Sequence, residues 1–178
     1  MKKLLFVLTI LGGLFMSQAN AESLKMTLKD GDVIIKLRPD LAPNHVKRIK
    51  ELTEQGFYDG IVFHRVIDGF MAQTGDPTGT GMGGPGYSIE DEFVKGHSNS
   101  AGTIAMANSG PNSGGSQFFI NLVDNEYLDW DKHPSSSKHP VFGEVVKGMD
   151  IVEKIGLVAV NGQAKPLEEV KIIKASIL

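Results

Sequence analysis

The chain lacks cysteine, and its N-terminal apolar run is too short to cross a bilayer. Without a thiol there is no disulfide framework, no thiolate metal ligand and no lipid-modified cysteine at a mature N-terminus. The apolar run, Leu4 to Met16, is shorter than the ~20 residues that a spanning helix requires. We therefore expect a protein that does not depend on disulfides and does not remain in a membrane.

The first 21 residues have the pattern of an export signal. Lys2 and Lys3 precede the apolar run, and the small-x-small triplet Ala19-Asn20-Ala21 follows it. This pattern predicts a signal peptide over residues 1–21, cleaved after Ala21, and a mature domain over residues 22–178. We expect the mature protein in the periplasm, with full secretion as the alternative, and without stable membrane association.

The mature chain would be short and acidic. Its 157 residues are enough for one domain with a sizeable core. It would carry 16 basic and 21 acidic residues, a net charge of −5, which argues against nucleic acid as the main partner. We expect a monomer.

Several catalytic signatures are also missing. The glycine-rich segment TGTGMGGPG at 78–86 has no Gly-Lys-Ser/Thr ending, and no Lys or Arg lies between Arg65 and Lys95 to meet a phosphate. The five histidines show no metal-binding spacing, and SGGSQF around Ser116 misses the G-x-S-x-G elbow. His64 alternates away from Arg65 and is predicted to be a hydrogen-bonded structural histidine rather than a ligand. A phosphate site, a catalytic metal and a serine hydrolase are disfavoured, and the glycine-rich segment is predicted to be a surface loop.

The periodicity of the chain predicts a mainly β fold. Apolar residues alternate across 24–37 on either side of Asp30-Gly31, which indicates a hairpin. A helix is predicted from Pro43 to a cap at Gly56, and a second over 149–155. Further short β-rich runs lie at 62–67, 71–74, 102–107, 118–122, 141–146 and 170–177. Many short strands with only two helices favour a closed barrel capped by the helices.

Two of the predicted strands place an amide side chain beside an apolar one. Period-two alternation puts Gln117 with Phe119 on one face, and Met71 with Gln73 on one face. Arg65 lies nearby, and burial of an uncompensated guanidinium would cost several kcal/mol or more. It therefore needs a partner or access to water. An arginine stays protonated at neutral pH, so its chemical contribution is hydrogen-bond donation; ordinary core amides and a structural salt bridge remain the alternatives.

Four long motifs resemble the cyclophilin family. They are FHRVIDGFMAQTGDP at 63–77, GTIAMANSGPNSGGSQFFI at 102–120, EYLD at 126–129 and HPVFGEVVKGMDIVEKI at 139–155. The resemblance covers essentially the whole mature chain, and it is strongest to secreted bacterial members. It implies a closed eight-stranded antiparallel β-barrel capped by two α-helices, peptidyl-prolyl cis-trans isomerase activity and no cofactor.

The resemblance also implies roles for particular residues. Arg65 would be the essential catalytic residue, and Gln73 a hydrogen-bonding amide. The other implied substrate-binding residues are Phe70, Met71, Phe119 and Leu128 in a proline pocket, with Ala107, Asn108, Gln117, Tyr127 and His139 around it. Tyr127 replaces a tryptophan common in the family, which implies weaker cyclosporin binding. The repeated Lys-His-Pro makes His133 a rival to His139.

The expected substrates are proline-containing segments of unfolded or partly folded exported proteins. The positively charged Arg65 beside an apolar cleft would stabilise a twisted imide more than a planar one. Two alternatives to an isomerase are a non-catalytic module that binds proline-containing segments and, less favoured, a hydrolase or metal enzyme.

Overall fold

A computed structural model describes residues 22–132 and 138–178. It contains eight strands and two α-helices: β1 (Ser23–Leu28), β2 (Gly31–Leu37), α1 (Pro43–Glu54), β3 (Arg65–Ile67), β4 (Met71–Thr74), β5 (Thr103–Met106), β6 (Phe118–Asn121), β7 (Val141–Lys147), α2 (Met149–Gly156) and β8 (Lys174–Ile177). A single 3-10 turn covers Glu126–Leu128. Within the described ranges, neither α-helix has the length and apolar character needed to cross a membrane.

The predicted N-terminal hairpin is confirmed. β1 and β2 pair antiparallel from Ser23 opposite Lys36 to Leu28 opposite Gly31. Gly31 adopts a φ of +138°, so it closes the turn as the first residue of β2. Every second residue of both strands is buried, as the alternation predicted.

The first helix begins at Pro43, as predicted, but its cap comes from far along the chain. Ala42 at the N-cap offers no side-chain hydrogen bond. The Glu92 carboxylate instead accepts from the backbone N–H groups of Asn44, at 2.9 Å, and His45, at 3.0 Å. These two N–H groups lack intrahelical partners, so an anion here stabilises the helix start.

The sheet curls around one main core. Its two ends meet along an irregular seam, formed by the segments that precede β3 and β8. The strand order is β3-β4-β6-β5-β7-β2-β1-β8, with all pairs antiparallel. The end strands β3 and β8 are linked through the segments that precede them. There, Gly60 N–H donates to the Ile172 carbonyl at 2.7 Å, and Phe63 N–H donates to that of Val170 at 2.8 Å. The predicted runs at 62–67 and 170–177 therefore begin irregularly and become strands only at Arg65 and Lys174.

Each central strand separates two apolar clusters. Ala72, Ile104, Phe118 and Ile120 point into the main core, which also takes the buried faces of both helices. A smaller buried cluster lies on the opposite face of the same strands and contains Met71, Ala105, Phe119 and Leu128. The predicted mainly β architecture with two helices is confirmed, and the second cluster marks the outer face on which a site can form.

Candidate active site

One cross-strand row brings together residues that are far apart in the chain. Arg65 pairs with Gln73, Gln73 with Phe119, and Phe119 with Ala105. Residues directly opposite each other in a sheet project from the same face. The guanidinium, the amide and the aromatic ring predicted from sequence therefore share the outer face.

The small outer cluster forms an apolar pocket beside this row. Met71 and Phe119 are 1% and 4% exposed, and Leu128 reaches them from the 3-10 turn. Tyr127, from the same turn, stacks on Phe70 with a centroid distance of 6.1 Å and stays half exposed. Phe70, Ile67, Ala107 and Val141 complete the walls. The base of the pocket is therefore buried, and its rim is exposed at Tyr127.

His139 forms another wall of the pocket. Its ring meets Phe119 edge-on, with centroids 5.2 Å apart. Its Nδ1 lies 2.9 Å from the Met106 carbonyl, which can only accept, so Nδ1 carries the proton. Burial lowers the pKa of His139, and the bond to Met106 opposes this only in part. His139 therefore takes the predicted position as a neutral ring, while its rival His133 lies outside the described residues.

The Arg65 side chain faces the pocket from an exposed position. Its Nη1 lies 4.0 Å from the Met71 sulfur, and its Cζ lies 5.9 Å from the centre of the Phe70 ring. Within residues 22–132 and 138–178, no carboxylate lies within 4.0 Å of this guanidinium. The structural salt bridge considered as an alternative is not formed there, and the donors point to the pocket rim.

A groove of about 460 Å³ continues from Gln73 along Gln117. Gln73 Nε2 donates to Gln117 Oε1 at 3.0 Å, and Gln117 Nε2 donates to the carbonyl of Gly83 at 2.7 Å. Ala107, whose N–H donates to the Gln117 carbonyl at 3.0 Å, and Asn108 also line the groove, and the Asn108 amide donates to the Lys138 carbonyl. The groove is thus lined by several hydrogen-bonding groups.

The glycine-rich loop forms one wall of the groove and is ordered by Asp76, which is 1% exposed. Its carboxylate accepts from the backbone N–H groups of Thr78, at 2.7 Å, Thr80, at 3.0 Å, and Gly81, at 2.5 Å. Burial alone would raise the pKa of Asp76, but these and neighbouring hydrogen bonds outweigh it and lower the pKa to about 2. The predicted surface loop is confirmed. No sequence pattern indicated that the Asp76 carboxylate would bind the backbone of this loop.

One histidine differs from the prediction. His64 is buried, as expected for a structural residue, but both of its ring nitrogens lack a hydrogen-bond partner among the described residues. Burial lowers its pKa. The expectation of a hydrogen-bonded structural histidine was therefore wrong, because His64 points towards the glycine-rich loop, where Gly81 offers no side chain.

All the predicted site residues lie at the pocket or the groove, but other residues also line the pocket. Ala105, Ile67 and Val141 also line the pocket. Period-two alternation from Ala107 would have identified Ala105, whereas Val141 required the register between β5 and β7. In the described part of the chain, no group of three or more His, Asp or Glu side chains is placed to hold a metal ion.

Comparison with known proteins agrees with this geometry. The profile of the family described as "Cyclophilin type peptidyl-prolyl cis-trans isomerase/CLD" matches residues 23–177. "Peptidyl-prolyl cis-trans isomerase-like 1" of Aspergillus fumigatus is 43% identical over 152 residues, which are 83% of this chain and 90% of the relative. Its namesake from Bos taurus is 43% identical over 152 residues, 82% of this chain and 86% of the relative. These relatives are eukaryotic, so the specific likeness to secreted bacterial members stays a prediction.

A solved structure is also similar. The crystal structure of a cyclophilin type peptidyl-prolyl cis-trans isomerase from Cryptosporidium parvum superposes with a TM-score of 0.81 at 29% identity, covering 88% of this chain and 97% of that one. A second structure of that protein, in the presence of the dipeptide Ala-Pro, gives a TM-score of 0.80 at 28% identity, covering 88% and 98%. The chain therefore belongs to the cyclophilin family, and it is a peptidyl-prolyl cis-trans isomerase rather than a hydrolase or a non-catalytic binding module.

Proposed function

We propose that this isomerase acts on X-Pro bonds of exported proteins, as a monomer, with Arg65 stabilising the twisted imide at the rim of the pocket. The observation that carries the proposal is the position of the Arg65 guanidinium. It lies against Met71 and Phe70, and no carboxylate of the described residues occupies its donors.

The pocket and the groove suggest how the substrate binds. The proline ring fits the dry cluster of Phe70, Met71, Phe119 and Leu128. The residues that precede proline run along the groove past Ala107, Asn108 and Gln117. The similar Cryptosporidium parvum protein has been crystallised in the presence of Ala-Pro, which supports a dipeptide of this chemistry as the minimal probe.

The chemistry requires no covalent intermediate. Rotation about an amide faces a barrier of roughly 18–20 kcal/mol, because the nitrogen lone pair is delocalised into the carbonyl. As the bond twists, the proline nitrogen becomes pyramidal and regains that lone pair. A guanidinium aimed at the nitrogen then binds the twisted state better than either planar state. The apolar walls reinforce this preference, because a dry medium disfavours the charge-separated planar amide.

Replacing Arg65 tests the assignment. We expect Arg65→Ala to lower kcat/KM about 100-fold, equivalent to ~2.7 kcal/mol of transition-state stabilisation, while proline-peptide affinity changes less than threefold. Protease-free NMR exchange spectroscopy on an Ala-Pro peptide measures the isomerisation rate, and titration measures the affinity. Arg38→Ala is the matched control, because Arg38 follows β2 and pairs with Asp40. An unchanged rate in Arg65→Ala would refute the role.

The proposed site of action is the periplasm, and the role is to accelerate the folding of exported clients. Residues 1–21 support export through their basic start, apolar run and Ala-Asn-Ala end. The family match begins at residue 23, which agrees with a domain that starts just after the proposed cleavage site. Uncatalysed X-Pro isomerisation takes tens to hundreds of seconds, so it can limit folding.

Fractionation tests the export proposal separately from the catalytic one. The full chain, with a C-terminal tag, is expressed in a Gram-negative host, and its N-terminus is sequenced from the periplasmic fraction. We expect the mature protein to begin at Glu22. A variant with Lys2 and Lys3 replaced by Glu is the control and should be retained in the cytoplasm. Unprocessed wild-type chain in the cytoplasm would contradict the proposal.

A further inference from the structure

A chain of buried polar side chains lies behind the proline pocket. Its members, here called the amide network, are Asn99, Asn121, Asn125 and Asp129, and each is between 0% and 4% exposed. Buried amides and carboxylates are costly unless they are hydrogen-bonded. Aliphatic residues at these positions would simply extend the adjacent apolar cluster. The presence of three asparagines and an aspartate there therefore needs an explanation.

The network begins under Phe70. Asn125 Nδ2 donates to the Phe70 carbonyl at 3.0 Å and to Asn121 Oδ1 at 2.8 Å. Asn121 Nδ2 in turn donates to Thr103 Oγ1 at 2.9 Å and to Asn99 Oδ1 at 3.3 Å. Each of these two side-chain amides therefore donates at least two hydrogen bonds, and Asn121 Oδ1 accepts one.

The network continues to the opposite wall of the pocket. Asn99 Nδ2 donates to Asp129 Oδ1 at 3.0 Å and to the His139 carbonyl at 3.3 Å. The Asp129 carboxylate also accepts from the backbone N–H of Asn99, at 2.8 Å, and from Ser98 Oγ, at 2.6 Å. The residue before Asp129 is the pocket residue Leu128, whose N–H donates to the Asn125 carbonyl at 2.9 Å.

Three walls of the pocket are thereby joined to one set of hydrogen bonds. Phe70 lies in the turn before β4, Leu128 in the 3-10 turn, and His139 before β7. These segments lie outside the strands and are held by isolated backbone bonds, such as those from the Leu122 N–H to the Phe70 carbonyl at 2.9 Å and from the His139 N–H to the Leu128 carbonyl at 3.2 Å. The amide network adds side-chain bonds to each of them. Asn121 is central, because it is the Cα partner of Met71 and lies two residues after Phe119 on the same face of β6.

We propose that the amide network positions the proline pocket for catalysis, with Asn121 and Asn125 as the positioning residues. Apolar packing alone tolerates small sliding between the walls, whereas a connected set of directional bonds allows one arrangement. Displacements of about 1 Å in a catalytic site can cost on the order of 100-fold in rate. The network acts through Phe70, Leu128 and His139 and does not touch the substrate. This inference rests on the proposed location of the proline pocket.

Two network variants and one matched control test the inference. Asn121→Leu and Asn125→Leu remove the central bonds while keeping similar side-chain volume. Thr53→Val removes a buried bond of comparable kind, from Thr53 Oγ1 to the Ile49 carbonyl at 2.7 Å, in α1. All three should lower stability, which urea unfolding measures, and activity is compared at a temperature where each variant is fully folded.

The two Asn variants should lose at least tenfold in kcat, with proline-peptide affinity changed less than threefold, while Thr53→Val keeps both within twofold. Activity equal to that of Thr53→Val, or a loss confined to affinity, would overturn the inference. If the Leu variants do not fold, Asn125→Ser decides by the same criteria, because it removes the bond to Phe70 with a smaller polar side chain. Arg65→Ala in the same assay separates the two proposals: loss there without loss in the Asn variants rejects only the network.

Discussion

His139 shows how one residue's surroundings decide its charge state. The ring is packed edge-on against Phe119 and donates from Nδ1 to the Met106 carbonyl. Burial penalises the imidazolium more than the Met106 bond favours it, so the pKa of His139 falls below its usual 6.5. A neutral ring keeps the pocket wall apolar, whereas a charged ring would bring water into the proposed proline pocket.

This charge state predicts how stability depends on pH. The folded pKa of His139 is lowered, so the folded state prefers the neutral ring. The corresponding stabilisation is fully present above pH 6.5 and is lost as pH falls towards the folded value. Between pH 7.5 and 5.5, wild type should therefore lose more unfolding free energy than His139→Asn. Urea unfolding at both pH values measures this, and equal losses would show that His139 does not contribute.

At the scale of elements, the glycine-rich loop shows order without regular secondary structure. Gly79, Gly81 and Gly86 have φ values of +65°, +86° and +86°, which other residues rarely adopt. The chain can therefore wrap around the Asp76 carboxylate and present its N–H groups inward. The same loop is bonded to Gln117 through the Gly81 and Gly83 carbonyls, which connects the carboxylate to the groove.

Asp76→Asn should loosen this wall. The pKa of Asp76 is lowered to about 2, so its stabilisation is present above the usual 3.8 and is lost as pH falls towards 2. At pH 7 the substitution should cost on the order of 2 kcal/mol of unfolding free energy, and it should raise KM more than it lowers kcat. Asp68→Asn, in the exposed turn before β4, is the control and should change stability by less than about 0.5 kcal/mol. An Asp76→Asn enzyme with unchanged KM would contradict the coupling between loop and groove.

At the scale of the whole molecule, the seam between β3 and β8 completes the curled sheet. Asp59, just after α1, accepts from the Ala175 N–H at 2.9 Å and from Lys174 Nζ at 2.6 Å. Together with the backbone bonds around Ile172, these contacts join the two ends of the sheet. The seam places residues 59–63 against residues 170–175, which lie more than 100 positions further along the chain.

The two bonds of Asp59 should differ in importance. The bond from the Ala175 N–H to the Asp59 carboxylate is partly buried, so Asp59→Ala should cost about 1–3 kcal/mol of unfolding free energy. Lys174 is 63% exposed, so Lys174→Ala should cost less than about 1 kcal/mol. Urea unfolding of both variants makes the comparison. Equal losses would mean that the ion pair, and not the backbone bond, holds the seam.

Local sequence patterns predicted much of the secondary structure of this protein. Period-two alternation predicted the first hairpin and the outward faces of Met71 and Phe119, and Pro43 marked the start of α1. Family motifs supplied Arg65 and the pocket residues. Strand ends were less accurate at the seam, where the runs before Arg65 and Lys174 bond irregularly.

The sequence alone determined the strands, the helices and the family, because these depend on spacings of two to four residues and on contiguous motifs. Only the tertiary structure decided the Glu92 cap of α1, the Asp59 seam and the amide network. Their hydrogen bonds join positions as far apart as Asn125 and Phe70, or Asp59 and Ala175. A polar residue on its own does not reveal its distant partner, since that partner is selected by the register of the whole sheet.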